Sequence, residues 1–264
     1  MGLATNAVHV VEANAIGYRR TWRGRVISTF VNPVLFLAGL GIALGSMVDA
    51  GSGQASLPIP YITFAATGLL AATAMQTGYG EGAWPIMAGI KWRKSFDAVL
   101  ATPVSVGDLV SGYLCWGAIH LAFTLGVYAA IAVLFGAMEA VPALVALVPA
   151  VLCGVAFQAA SVAFTARLEA ETALTNMMRF GIMPMFLFSG TFFPVSQLPD
   201  WMERIAALTP LFHGVELVRK LALPGSEPPV VSTIPLWVHA AYLTVMTVVA
   251  WLLAIRWLSA RLKS

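Results

Sequence analysis

Few side chains in this sequence stand where they could do chemistry. Nucleotide hydrolysis needs a Gly-rich loop ending in Gly-Lys-Ser/Thr, whose amides and lysine cradle phosphates, and no Gly-Lys dipeptide occurs. His-Glu-x-x-His, a Gly-x-Ser-x-Gly turn and paired Cys or His spacings suited to a metal are also absent. No catalytic, cofactor-binding or metal-ligating residue is therefore expected. Cys115 and Cys153 sit in apolar runs, where a thiol acts as a small buried hydrophobe. His120 and His213 are candidate general bases, but neither has a second catalytic group at a sensible spacing. His120 lies about halfway along an apolar stretch and admits two readings, a neutral packed side chain or a contact for a substrate or proton. Gln76 and Gln158 read as interhelical hydrogen bonders.

The elements that must position these residues are set by lipid. Of 264 residues, 59% are hydrophobic and only 10% charged, far from the roughly 25% charged of soluble domains. Apolar residues come in long runs, approximately Val26 to Val48, Tyr61 to Tyr79, Leu109 to Phe135, Pro142 to Thr165, Met177 to Phe193 and Leu236 to Trp257. Each can close its own backbone hydrogen bonds as a helix. The expected fold class is an all-α membrane protein with six transmembrane helices in one domain over residues 1–264. Arg19, Arg20, Arg23 and Arg25 ahead of the first run look like a secretory signal, but the run is too long and the span is expected to be retained.

Basic residues give the orientation. With both termini cytoplasmic, the inside receives Arg19, Arg20, Arg23, Arg25, Lys91, Arg93, Lys94, Arg167, Arg179, Arg256, Arg261 and Lys263, and the outside receives Arg204, Arg219 and Lys220. That asymmetry predicts a multi-pass protein of the cytoplasmic membrane. Residues 81–108 then form a long cytoplasmic loop whose stretch Lys91 to Leu100 can be a short helix, stopped by Thr102-Pro103. Phe96, Val99 and Leu100 recur on it at helical spacing and need burial. Residues 194–223 are too apolar for a solvated outer loop and read as two short helices at the outer leaflet, with Asp200/Arg204 and Glu216/Lys220 as pairs on their wet face. Residues 1–25 carry Val8, Val11, Ala15, Tyr18 and Trp22 at three- and four-residue spacing. They read as an amphipathic helix on the inner surface or one packed on the loops. Gly41 and Gly45 in the first span suit either a dimer seam or packing within one chain. Without mid-depth carboxylates or paired interrupted spans, an ion-coupled carrier is disfavoured.

At Ser95-Phe96-Asp97-Ala98-Val99-Leu100-Ala101-Thr102-Pro103-Val104-Ser105 and at Phe188-Ser189-Gly190-Thr191-Phe192-Phe193-Pro194-Val195-Ser196-Gln197-Leu198-Pro199, the sequence resembles the type-2 ABC exporter permeases, and most closely the branch for lipo-oligosaccharides, polysaccharides and drugs. Leu208-Thr209-Pro210-Leu211 and His213-Gly214-Val215-Glu216 continue the second motif, and the likeness covers nearly the whole chain. The resemblance implies a permease subunit that exports an amphipathic, lipid-linked, saccharide or drug-like substrate. It works as a homodimer or with a homologous permease. Two copies of a separate cytoplasmic ABC ATPase would carry the ATP and Mg. Lys91, Trp92, Arg93, Lys94, Phe96, Asp97, Val99 and Leu100 would then couple to that ATPase, although a basic loop held at anionic lipid headgroups is the alternative. His120, Phe192, Phe193 and Pro194 are candidates for the transport path or its gate. Nucleic acid is not an expected partner, and a membrane-embedded lipid-modifying enzyme is the rival reading.

Overall fold

The computed structural model describes residues 3–39 and 57–263. Among them every regular element is a helix, as a chain in lipid requires. In order these are α1 (Leu3–Phe36), α2 (Tyr61–Met87), the short α3 (Ser95–Leu100), α4 (Val106–Leu134), α5 (Ala140–Ala166), α6 (Thr172–Met177), α7 (Met183–Phe188), α8 (Asp200–Ala207), α9 (Pro210–Ala222) and α10 (Leu236–Lys263). Wide π-turns over Ala88–Trp92 and Met178–Ile182 extend α2 and join α6 to α7.

Among the described residues α4, α5 and α10 are long and apolar enough to cross a bilayer. Their outer faces are greasy at helical spacing: Ile119 and Phe123 on α4, Leu144 and Val148 on α5, Val245, Val249 and Leu252 on α10 are all exposed. Apolar surface of that extent belongs against lipid tails. Another long helix, α2, is the centre of the bundle and is buried along most of its length. Enclosed by protein, it can carry Gln76 and Glu81.

Three expected boundaries move. The second apolar run does not stop at Tyr79, because α2 continues through Glu81 to Met87 and its π-turn to Trp92. The connection expected over residues 81–108 therefore shrinks to residues 93–105 around α3. The break had been put at a charge, and that charge is held inside the bundle. No joint separates residues 1–25 from the first span either, since α1 runs unbroken from Leu3 to Phe36; Gly24 alone does not end a helix. α1 packs along α4 with Val10 buried against Gly112, while Val8 is exposed. The fifth run is helical from Thr172 to Phe188 rather than from Met177 to Phe193, and the chain then turns at Gly190, whose φ of +86° suits a residue without Cβ. Gly41 and Gly45 lie outside the described residues.

The packing of α2 on α5 is the most extensive in the molecule. Gly78 meets Gly154 backbone to backbone there, and a Cβ on Gly78 would overlap the Gly154 carbonyl. The two short helices expected over 194–223 are present as α8 and α9, preceded by a 3-10 turn over Val195–Gln197. The α8–α9 turn is tied to α10, where Tyr242 Oη donates to the Leu208 carbonyl (2.9 Å), and α9 packs on α5, where Gly214 lies against Cys153, midway along that helix. Thr209 caps α9, its Oγ1 accepting from the Phe212 N–H at 3.3 Å, with Pro210 in the first turn where no amide is needed. Glu216 and Lys220 do not form the expected wet-face pair. The connection between α9 and α10 folds over them, so that Glu216 is buried and accepts the Ser232 N–H (2.6 Å), while Lys220 Nζ donates to the Ile234 carbonyl. Asp200 and Arg204 stay exposed on α8.

Candidate functional site

A cavity of about 1090 Å³ opens between α1, α2 and α4 and reaches down to α3. From α2 it is lined by Thr73, Thr77 and Glu81 at four-residue spacing, which puts them on one face, and by Gln76 beside them; His9 and Asn14 on α1 and Arg93, Ser95 and Thr102 around α3 are further polar lining residues. Opposite α2, α4 presents Trp116, His120 and Thr124 at the same spacing, and α1 adds Tyr18. His120 Nδ1 lies 3.3 Å from Glu81 Oε1, with the two side chains 10% and 11% exposed. The approach is not an aligned hydrogen bond, and both ring nitrogens of His120 lack a hydrogen-bond partner among the described residues. The Tyr18 ring meets His120 edge-on at 5.2 Å and Trp116 at 5.7 Å.

Glu81 was expected in a loop and no carboxylate was expected at mid-depth in a span; its place on α2, beside His120 midway along α4, corrects both. The signal was present in the sequence: the register of Thr73 and Thr77 runs past Tyr79 to Glu81 without a phase change. Tyr18, Trp116 and Thr124 were likewise not singled out as site residues, since nothing in the periodicity of either helix says that α1 and α4 face each other. Gln158 is an interhelical hydrogen bonder as expected, donating to the Tyr113 carbonyl at 2.8 Å.

One end of the cavity is the connection around α3. Lys91, Trp92, Arg93, Lys94 and Asp97 are exposed there, while Val99 and Leu100 are half-buried. Phe96 is 1% exposed. Its ring packs on Gly89, where a Cβ would strike it, and meets Tyr113 edge-on at 5.7 Å. The apolar stripe expected to need an outside partner is thus covered at Phe96 by the chain itself. Lys94 adopts φ 48°, an uncommon left-handed conformation for a side chain with Cβ, and so turns the chain from the π-turn into α3. Ser105 and Asp108 form a capping box that starts α4: Ser105 N donates to Asp108 Oδ2 (3.0 Å), and Asp108 N donates to Ser105 Oγ (3.1 Å). Trp92 stacks on Trp84 (6.5 Å, 18°) and donates its Nε1–H to Glu171.

The other end is aromatic. Phe36, which lines the cavity, meets Phe186 at 6.2 Å, and Phe186 meets Phe192 at 5.0 Å. Phe192 thus reaches the cavity only through Phe186 and Phe36, and no ring contact joins it to His120 among the described residues. Phe193 is half-buried and Pro194 is buried in the bend after Gly190. Behind that bend the fully buried Arg219 donates to the Phe64 carbonyl (3.2 Å) and the Thr191 carbonyl (3.4 Å), with its guanidinium 3.7 Å from the centre of the Phe64 ring. His213, the base of the enzyme alternative, has its Nδ1 2.8 Å from His239 Nδ1 and its ring stacked on Tyr242 at 4.0 Å.

The chain belongs to the ABC-2 type transporter family, whose sequence model matches residues 7–223. It is similar to nodulation protein J of Sinorhizobium fredii, 29% identical over 261 residues covering 98% of this chain and 95% of that one. It is also similar to nodulation protein J of Rhizobium meliloti, 29% identical over 218 residues covering 83% and 81%. The inner membrane transport permease YadH of Escherichia coli is 21% identical over 216 residues, 82% of each chain.

Proposed function

We propose that the chain is the membrane subunit of an ATP-driven exporter in the cytoplasmic membrane, paired with a second copy or a homologous permease. Two copies of a separate ABC ATPase hold ATP and Mg and dock on Lys91, Trp92, Arg93, Lys94 and Asp97. The cargo is amphipathic, a lipid-linked, saccharide or drug-like molecule, since the cavity offers it both aromatic rings and hydrogen-bonding groups. The observation that carries the reading is the exposed basic face beside α3, braced from within by Phe96 and lying at the mouth of the cavity. A push on α3 passes to α2 through Phe96 on Gly89, to α4 through Phe96 on Tyr113, and to α1 through Asn6, whose Nδ2 donates to the Pro103 carbonyl at 3.2 Å. Tilting of these helices as rigid bodies then opens the row Phe36, Phe186 and Phe192.

The test is co-expression with an ATPase encoded in the neighbouring reading frame. Replacing Trp92 with Ala and Arg93 and Lys94 with Glu should cut co-purification of the ATPase at least about tenfold, the scale of losing one interface hot spot, at wild-type membrane expression. Undiminished association would refute the docking face, and ATP hydrolysis by the purified chain alone would refute the division of labour. The Glu81–His120 contact favours one other reading, proton coupling. Transport that survives ATP depletion and stops with a protonophore would favour it over the ATPase.

A further inference from the structure

Two imidazoles join the inserted hairpin to a long helix. His213 on α9 is 6% exposed and His239 on α10 is fully buried, with Nδ1 of one 2.8 Å from Nδ1 of the other. Ring nitrogens stand that close only with one proton between them, so one imidazole donates there and the other accepts. His239 Nε2 meets Ser232 Oγ at 3.4 Å, on the connection whose Ser232 N–H also covers Glu216, and His213 stacks on Tyr242 of α10 at 4.0 Å. We infer that this pair is an acid-sensitive latch, which holds α9 on α10 near neutral pH and loosens it as protons are taken up.

Proton counting gives the sign. The neutral pair carries one proton on each ring, and one of them is shared. A third proton settles on the outer nitrogen of the donor ring and leaves the bond intact. A fourth has no place except the nitrogen that accepts the bond, and it would set two cationic rings N–H against N–H. Away from α10 each ring takes its second proton as an ordinary histidine does. In the closed fold, burial first and then the neighbouring His239 hold His213 below its ordinary 6.5, at about 4, against the opposing pull of Glu216 and the Ala207 carbonyl. Because the closed state is the one with the depressed value, His213 contributes to closure in full above 6.5 and loses that contribution as pH falls towards about 4. For that one proton the closed-to-open ratio drops by up to about tenfold per pH unit.

The pair is not the sole ionisable feature of the seam. Glu216 and Lys220 face it from α9 with opposite charges, Tyr242 faces it from α10, and Cys153 of α5 lies one residue along, against Gly214. Arg219 points from α9 to α2, where Tyr61 lies near it, and Asp200, Glu203 and Arg204 of α8 are exposed. Of these, Glu216 is the group that acid also discharges, so the test must separate it from the histidines. What the latch controls follows from Arg219. It sits on α9 and donates to the Thr191 carbonyl beside Phe192, so a loosened α9 also frees the Gly190 bend and the aromatic end of the cavity. This hold depends neither on the ATPase nor on the cargo.

The experiment is hydrogen exchange of the full chain in phosphatidylcholine nanodiscs across the acid range. Each peptide's rate is divided by its unfolded rate at the same pH, so that protection reads the closed-to-open ratio. Between about pH 7.5 and about pH 5, peptides from α8 and α9 should lose at least about tenfold in protection while those from α4 and α5 keep theirs. His213→Asn with His239→Gln keeps a hydrogen-bonding pair that takes up no proton, and it should flatten the loss to less than about twofold. Should that variant not accumulate, His213→Phe with His239→Leu removes both polar partners together and should flatten it likewise. Constant protection of α8 and α9 across the range, a loss shared equally by α4 and α5, or a loss that persists in either double variant overturns the latch, and the last result assigns the proton to Glu216.

Discussion

At the scale of single residues, Arg219 shows how far a charge count can mislead. Tallied among the basic residues, it falls in a loop between spans; in the fold it is one of the largest fully buried side chains. Its Nη2 donates to two carbonyls on different segments, Phe64 on α2 and Thr191 after the Gly190 bend, while its Nε donates to Thr67 Oγ1 (3.4 Å), so that the two prongs of the guanidinium tie α9 to both segments. A lysine keeps the charge but has neither the fork nor the flat face that rests on Phe64. Arg219→Lys should therefore destabilise by about 2 kcal/mol or more, the cost of a buried cation that has lost partners. Arg219→Met, which buries no charge, should cost less than Arg219→Lys. Thermal unfolding in detergent checks the order of the two variants, and a lysine variant as stable as wild type would show that the fork is idle. The same limit on legibility applies to Glu81. Spacing alone shows which face of a helix it shares, but not that α4 brings a histidine to meet it.

At the scale of elements, what was legible follows from how each helix meets its surroundings. α4, α5 and α10 are readable to within a few residues because lipid requires them to be apolar on their outer faces, and that leaves an uninterrupted run in the sequence. α2 was legible only as far as Tyr79, because a helix wrapped in protein may carry a carboxylate where a lipid-facing one may not. A short helix was expected over Lys91 to Leu100, and α3 takes only Ser95–Leu100 of it; of the stripe, Phe96 is buried while Val99 and Leu100 are half-buried, and periodicity does not name the burying surface. That surface is Gly89 and Tyr113 in the same chain. Phe96→Ala should therefore act as a core deletion, costing about 3–5 kcal/mol, and should loosen α3 whether or not an ATPase is present. Hydrogen exchange over residues 93–105 of the purified chain checks this. Protection equal to wild type in the absence of a partner would mean that Phe96 does not brace the connection.

At the scale of the whole molecule, the bundle is held by close helix contacts around α2, and its two ends differ: an exposed basic connection at one, an inserted hairpin with buried Arg219 and Glu216 at the other. The family was legible because those two ends carry the sequence's most distinctive motifs. The cavity between them was not, since it is made by α1, α2 and α4 together and no single run of sequence encodes it. One further consequence comes from α1 being a single helix. From Asn6 at the Pro103 carbonyl to Phe36 beside Phe186 it covers 30 residue steps, about 45 Å at helical rise. Under the coupling proposed above, α1 would serve as a pushrod whose internal proline, Pro33, lies in its last turn beside the aromatic row, so that displacement at the basic connection would reach that row along the helix. A joint cut into the rod should then idle the engine without stalling it. Gly17 has open space where a side chain would stand, so Gly17→Ala should be tolerated and stiffen α1 by about 1 kcal/mol. Gly17→Pro breaks the hydrogen-bond ladder and should leave ATP turnover running in the assembled complex while cargo movement falls severalfold. The ratio of cargo moved to ATP consumed, compared across wild type and the two variants in proteoliposomes, measures the slip; an unchanged ratio in Gly17→Pro would mean that force travels by another route.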